Sequence, residues 1–383
     1  MRKFEILPRR AVATLSPVII ALASASTAWA APSVTGVKGT FDHKASITIS
    51  GSGFGSKEKA APVVWDDASG EDIRSKWDLT WPNTTSAYNM AYRSPQRGID
   101  LPHKHITRYL AGAHEGSGGA NGGANVAVWK NRTISSYPAY SYISWYQRAD
   151  DAWRFSGDNN YKVFDFSRGD GGYDLPYNWY IEYNDRPSSR TATPRWHLLD
   201  DAYGQSSSAL GGGPGNWWFG DAVNPMSGKW TKIEVEIKYS TQSDGYIKLW
   251  ENGKLKIDFK GKTDGYSGTH RSEGIGGFAR AEGPDNWRYF ADIYLDYTPA
   301  RVVLGNASTL SQSTIIEPQI PTAWSGSSIT ATVNLGQFQA GQTAYLFVVD
   351  SSGTPSANGY AIKVGGSGGT AVVPEPPSNV RVE

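Results

Sequence analysis

The sequence predicts an all-β protein, and three observations carry that expectation. Aromatic residues form 13% of the 383 residues, with 15 Trp and 21 Tyr beside 43 Gly, a mixture that suits strands joined by tight turns. Apolar and polar residues alternate with period two over several short runs. No long window repeats apolar residues at helical spacing.

The clearest alternation lies in residues 230–296. Ile233, Val235 and Ile237 alternate with Glu234, Glu236 and Lys238, which predicts a strand with one buried face. Ile247 and Leu249 repeat the pattern against Tyr246, Lys248 and Trp250, and Lys-Leu-Lys-Ile-Asp-Phe follows from Lys254. Asp244-Gly245 and Asn252-Gly253 supply the positive φ that tight hairpins need, so three antiparallel strands are expected. A long closing strand is expected from Trp287 to Asp296.

The chain is long enough for about two domains, and residues 1–30 belong to neither. Arg2, Lys3, Arg9 and Arg10 precede an apolar run from Val18 to Ala23, and Ala28-Trp29-Ala30 carries the small residues of a cleavage site. An export signal cleaved near Ala30 is therefore expected, giving a secreted, periplasmic or cell-surface chain. The apolar run is too short to span a bilayer, so no membrane insertion is expected. Losing these residues turns a formal charge of +1 into about −2. That balance attracts neither nucleic acid nor anionic lipid. Cysteine is absent, which excludes disulfides, thiolate metal sites and cysteine nucleophiles.

After the signal, Pro-Ser-Val-Thr-Gly-Val (32–37) and Ser-Ile-Thr-Ile-Ser-Gly-Ser-Gly-Phe-Gly (46–55) read as two strands and a glycine turn around a buried Phe54. They resemble the first half of an IPT/TIG immunoglobulin-like domain. Residues 315–364, with Ser-Ser-Ile-Thr and Val-Val-Asp-Ser-Ser-Gly, resemble the closing half. The expected organisation is one discontinuous domain, 32–64 plus 300–365, with 65–299 inserted and 366–383 as a Gly/Ser/Pro-rich tail. The alternative is a short β-extension before a separate C-terminal sandwich.

Within the insert, period two sorts polar and aromatic residues onto one side of four successive runs. Tyr140, Tyr142, Tyr146 and Arg148 alternate with Ile143 and Trp145; Asn160 and Lys162 share a side, as do Asn178, Tyr180 and Glu182, and Arg195 and His197 flank Trp196. Such a surface suits a groove that stacks on and hydrogen-bonds to something flat and polar; the plainer reading is a solvated sheet. Trp145, Trp179 and Trp196 fall in the opposite register and read as core, and Trp217-Trp218 reads as loop.

Tyr-Ile-Ser-Trp-Tyr-Gln-Arg (142–148), Asn-Asn-Tyr-Lys-Val-Phe-Asp-Phe (159–166), the paired hairpins and Tyr-Phe-Ala-Asp-Ile-Tyr-Leu-Asp (289–296) together resemble the concanavalin A-like jelly roll of lectins, laminin G modules, and several polysaccharide lyases and glucanases. The likeness implies a fold and leaves the activity open. A glucanase of this kind would carry Glu-x-Asp-x-Glu, which neither Glu234-Val-Glu236 nor Asp292 to Asp296 reproduces. A lyase acting by β-elimination on a uronate polymer would use His197, Tyr146 and Arg148, although signature strings such as Arg-x-Glu-Leu-Arg or Gln-Ile-His do not occur. A non-catalytic lectin needs only stacking and hydroxyl contacts. The expectation is a bacterial carbohydrate-binding protein recognising a polysaccharide or glycoconjugate, with the lyase second and a surface adhesion scaffold third.

No cofactor is required by that reading. A structural calcium is expected from the likeness, with Asp66, Asp67 and Asp292 as ligands near the two ends of the insert. His103, His105 and His114 cluster in sequence, without a secure element to hold them around a metal.

Overall fold

The computed structural model describes residues 31–80, 86–114, 126–151, 153, 161–167, 179–184, 195–200, 216–223, 228–264, 269–279 and 286–366. The described residues form one compact unit. Residues 1–30, where the export signal is expected, and 367–383 of the expected tail lie outside the described residues.

In chain order the strands begin with β1 (Ser33–Lys38), β2 (Ser46–Ser52), β3 (Val64–Asp66), β4 (Leu79–Thr80), β5 (Ala91–Arg93), β6 (Tyr109–His114) and β7 (Val126–Thr133). There follow β8 (Ala139–Ala149), β9 (Tyr161–Ser167), β10 (Trp179–Asn184), β11 (Arg195–Asp200), β12 (Asn216–Asp221), β13 (Thr231–Tyr239), β14 (Gly245–Glu251) and β15 (Lys254–Gly261). The rest are β16 (His270–Gly277), β17 (Asn286–Asp296), β18 (Arg301–Gly305), β19 (Ile316–Trp324), β20 (Ser328–Thr332), β21 (Thr343–Val349) and β22 (Tyr360–Lys363).

Two sheets build the jelly roll expected from the sequence. One runs β12-β11-β10-β9-β16-β7-β4, the other β15-β14-β13-β8-β17-β6-β5, with β3 also paired to β17. Their facing sides interdigitate: Ile143, Trp145, Ile233, Val235 and Leu295 from one sheet meet Val128, Phe164, Ile181, Trp196 and Ile275 from the other. The inward residues on β8, β11 and β13 are those that alternation selects, whereas in β9 a register shift puts Phe164 and Phe166 in the core together with Tyr161 and Val163. Burying such side chains stabilises the sandwich by about 1.5–3 kcal/mol each.

A third sheet runs β1-β2-β20-β19-β18-β21-β22, joining residues near both ends of the described chain. Ile47 pairs with Ala331 and Ile49 with Ile329, and β1 also comes beside β21 and β22. The sheet thus wraps around a core that includes Phe41, Ile49, Phe54, Leu304, Leu346 and Ile362.

The hairpins differ from one another in how they turn. Asn252 and Gly253 have φ of 49° and 71°, the pair of left-handed residues that a two-residue turn demands. A Cβ on Gly253 would also lie 2.2 Å from the Ser313 carbonyl oxygen, so glycine is needed twice over. Asp244-Gly245, by contrast, is not a turn of that kind. The chain reverses over residues 241–244, and Gly245 already belongs to β14. Asp244 fixes this longer loop by accepting from the Ser240 hydroxyl at 2.5 Å and Lys238 Nζ at 2.6 Å.

Candidate functional site

The residues that alternation grouped on one surface divide between the two jelly-roll sheets. β8 pairs with β13 and β17, whereas β9, β10 and β11 are neighbours in the opposite sheet. Tyr140, Tyr142, Tyr146 and Arg148 therefore share no surface with Lys162, Tyr180, Glu182, Arg195 and His197. The reason is topological: the chain crosses from one sheet to the other between β8 and β9, and alternation along a strand carries no information across a crossover.

On the β9–β12 sheet, register does bring several of the expected residues together. Lys162 pairs with Glu182, Glu182 with His197, and His197 with Trp218, so the four occupy one row across four strands. Residues in such a row stand about 4.5–5.5 Å apart at Cβ, close enough for one ligand to span. The adjacent row contains Asp165, opposite Tyr180 on one side and Gly274 on the other, with Trp129 beyond. Val128 points into the core, which puts its neighbour Trp129 on the outer side. Its ring lies on Gly274, where a Cβ would come within 2.5 Å of Trp129 Cε3.

The Trp129 indole Nε1 is buried without a hydrogen-bond partner among the described residues. Beside Lys162, Gly276 and Gly277 have φ of 95° and 134°; a Cβ would lie 2.1 Å from the Val126 carbonyl oxygen at the first and 3.0 Å from Lys162 Cβ at the second, so the strands pack too closely there for any other residue. His197 is only 3% exposed and Asp165 7%, so the row sits below the molecular surface, while Lys162 is half-buried and Arg195 exposed. Asn160 and Asn178 lie outside the described residues, and Tyr180, Glu182 and Trp218 are described only by their backbone positions. Trp217 and Trp218 belong to strand β12 and not to a loop, with Trp217 packed on the core.

The β8 residues meet a different fate, because the third sheet covers their side. Tyr142 is fully buried and donates to Glu234 Oε2 at 2.6 Å, while the Arg301 guanidinium lies 3.8 Å over its ring. Tyr146 donates to Glu317 Oε1, and Lys232 Nζ sits 4.3 Å above its ring and 3.4 Å from Glu317 Oε2. Burial, and then the neighbouring carboxylates, push both phenols well above their ordinary values, so both stay protonated donors. Tyr140 is half-buried, and Arg148 is half-buried and paired with Asp151 at 2.8 Å. An external ligand cannot reach Tyr142 or Tyr146 in this arrangement.

Further polar pairs join the same junction. Lys57 contacts Asp296 at 2.6 Å, and His105 stacks on His43 with ring centroids 4.8 Å apart. His103 Nε2 lies 2.7 Å from Asp292 Oδ2. Asp292 occupies a bulge in β17 with φ of 48°, between the pairs Ala291–Tyr146 and Tyr294–Ser144. His114 stands apart, in β6 against Trp153.

Asp66, Asp67 and Asp292 do not fit a calcium site. Calcium takes six to eight oxygen ligands. Asp66 instead accepts from Trp77 Nε1 at 2.8 Å, the Tyr92 hydroxyl at 3.0 Å and Lys76 at 3.3 Å, Asp67 pairs with Lys44 at 3.3 Å, and Asp292 faces His103. Among the described residues no three acidic, histidine or cysteine side chains gather closely enough to hold a metal.

No protein-family model matches the chain, and no curated protein does. Solved structures do resemble it. An endo-β-1,4-glucuronan lyase from the fungus Trichoderma reesei aligns over 58% of this chain and 91% of its own, at 14% identity and a TM-score of 0.40. Alginate lyase Aly36B aligns over 69% and 98%, at 11% identity and 0.39. A GlcNAcα1-4Gal-releasing endo-β-galactosidase from Clostridium perfringens aligns over 78% and 90%, at 9% identity and 0.37. At these values the likeness says nothing about activity.

Proposed function

We propose that the chain is an exported carbohydrate-binding protein that takes a polysaccharide or glycoconjugate across the outer side of the β9–β12 sheet. The observation that supports this reading most is the single row of Lys162, Glu182, His197 and Trp218, with Trp129 alongside. A row of mixed charge reads hydroxyls in any orientation, and an indole face stacks on the C–H face of a sugar ring. The polar run before the apolar segment at Val18 supports the export.

Binding is favoured over β-elimination because the groups a lyase would need are split. His197 belongs to one sheet, whereas Tyr146 and Arg148 belong to the other, and Tyr146 is committed to Glu317. General acid–base work needs those groups within hydrogen-bond reach of one substrate.

The test is a glycan array probed with the full chain, followed by titration of each hit with Trp129→Ala and Lys162→Ala. Each substitution is expected to weaken binding about fivefold, the equivalent of ~1 kcal/mol. Binding to no glycan favours the scaffold reading. Ultraviolet-absorbing unsaturated products from a uronate polymer, lost in His197→Ala, would replace the binding reading by the lyase.

A further inference from the structure

A second surface lies on the sheet that contains β13 and β14, between its outer side and the third sheet. Register builds its floor. Glu234 pairs with Trp250 and Glu236 with Lys248, so a strand alternation that buries Ile233, Val235 and Leu249 on one side sets these four together on the other. Arg301 and Val303 of β18 close the opposite wall, and the Asn252–Gly253 turn closes one end. The result is a groove of about 520 Å³, within the range of small-ligand sites, roughly 300–1,000 Å³.

The floor has one unmet requirement. Glu234 is 4% exposed; its Oε2 accepts from Tyr142, while its Oε1 is buried without a hydrogen-bond partner. Glu236 is better served, accepting from the Tyr246 hydroxyl at 2.7 Å and from Arg301 Nη1 at 3.4 Å. Arg301 Nη1 also donates to the Pro299 carbonyl at 2.8 Å, while Arg301 Nε is buried without a hydrogen-bond partner among the described residues. The groove therefore offers acceptor capacity between an indole and aliphatic walls, with Leu255 48% exposed at its lip.

We propose that this groove is a second binding site, for a neutral, hydroxyl-rich ring such as a pyranose residue of an uncharged glycan. An anionic sugar would meet two carboxylates on the floor, and a cation would meet Arg301 and Lys248. A hydroxyl suits Glu234 Oε1 in either state, because it donates to a carboxylate and accepts from a carboxylic acid. Burial pushes the Glu234 carboxyl above its ordinary value. Trp250 supplies the flat face that a ring needs. The site is independent of the β9–β12 surface, which lies on the other sheet.

The probes are cellotetraose, xylotetraose and mannotetraose, with a tetrameric uronate as the charged comparison. Binding to the full chain is followed through the indole N–H resonance of Trp250, assigned with Trp250→Phe, while the Trp129 resonance reports the other surface separately. At least one neutral tetrasaccharide is expected to shift Trp250 saturably, and Leu255→Ala and Glu234→Gln are expected to weaken that response, the latter by about tenfold. Leu255 is exposed enough that its substitution leaves the fold intact. The proposal fails if no neutral probe moves the Trp250 resonance, if only the uronate does, or if the response is unchanged in both variants.

Discussion

Replacing Glu317 by alanine is expected to loosen the junction between the jelly roll and the third sheet more than any other single change there. Glu317 is fully buried, and three donors converge on it: the Tyr146 hydroxyl, Lys232 Nζ at 3.4 Å and the Gln337 backbone N–H at 3.0 Å. Alanine leaves all three in a dry environment, one of them a buried cation at 5% side-chain exposure. Removing one partner of a buried pair costs about 3–5 kcal/mol. Glu317→Gln keeps an acceptor for the two neutral donors and loses only the charge opposite Lys232, so about 1.5–3 kcal/mol is expected. Adding Lys232→Met to Glu317→Ala should recover part of the loss, since the orphaned cation is then gone. Urea unfolding followed by tryptophan fluorescence and by far-ultraviolet circular dichroism measures all three. A Glu317→Ala variant within about 1 kcal/mol of the parent, or a double variant no better than the single, would refute the idea that this network holds the junction.

Three further outcomes follow from the same geometry. Gly336 has φ of 48°, and a Cβ there would lie 2.0 Å from Glu317 Cδ, so Gly336→Ala should cost about 1–3 kcal/mol in the same unfolding assay. Burial, then the His105 ring, lowers His43 to about 4, so the unfolded chain holds more protons there and stability should rise with pH from about 4 to about 6.5. Burial alone would lower His103 as well, but the Asp292 carboxylate raises it; its contribution is full below about 6.5 and lost as pH climbs through the raised value. Urea midpoints across pH should thus pass through a maximum, with His43→Asn flattening the acid limb and His103→Asn the other. Finally, residues 300–366 expressed alone should not fold cooperatively, because β20 would lose β2 and the core would lose Ile47, Ile49 and Phe54; a cooperative transition by circular dichroism would favour a separate C-terminal sandwich.

What alternation along one strand determines was legible in the sequence. Ile233, Val235, Ile237, Ile247 and Leu249 are all buried where the pattern put them, Phe54 is buried in its glycine turn, and Asn252-Gly253 turns as its residue types require. What depends on the neighbours of a strand was not. Tyr146 and His197 have the same polar alternation, yet the crossover after β8 sends them to opposite sheets. Nor does a polar strand face reveal whether water or another sheet lies against it. Glu234, Glu236, Tyr142 and Asp292 read as solvated or ligand-facing, and they are buried against a module that brings Arg301 and Glu317 to match them. A signal was present in the chemistry, for a face carrying that many acids and phenols needs cations and acceptors opposite, and Lys57, Arg301 and Glu317 flank the insert in sequence. The grouping of Trp250 and Arg301 with Glu234 is invisible along any one strand for the same reason, since it arises across strands.

The claim that the β9–β12 sheet carries the carbohydrate is tested most directly by hydrogen–deuterium exchange of the full chain with and without the glycan that the array selects. Protection is predicted in residues 161–167, 179–184 and 195–200, and none in β8. Protection of β8 with unchanged exchange in those three strands would contradict it.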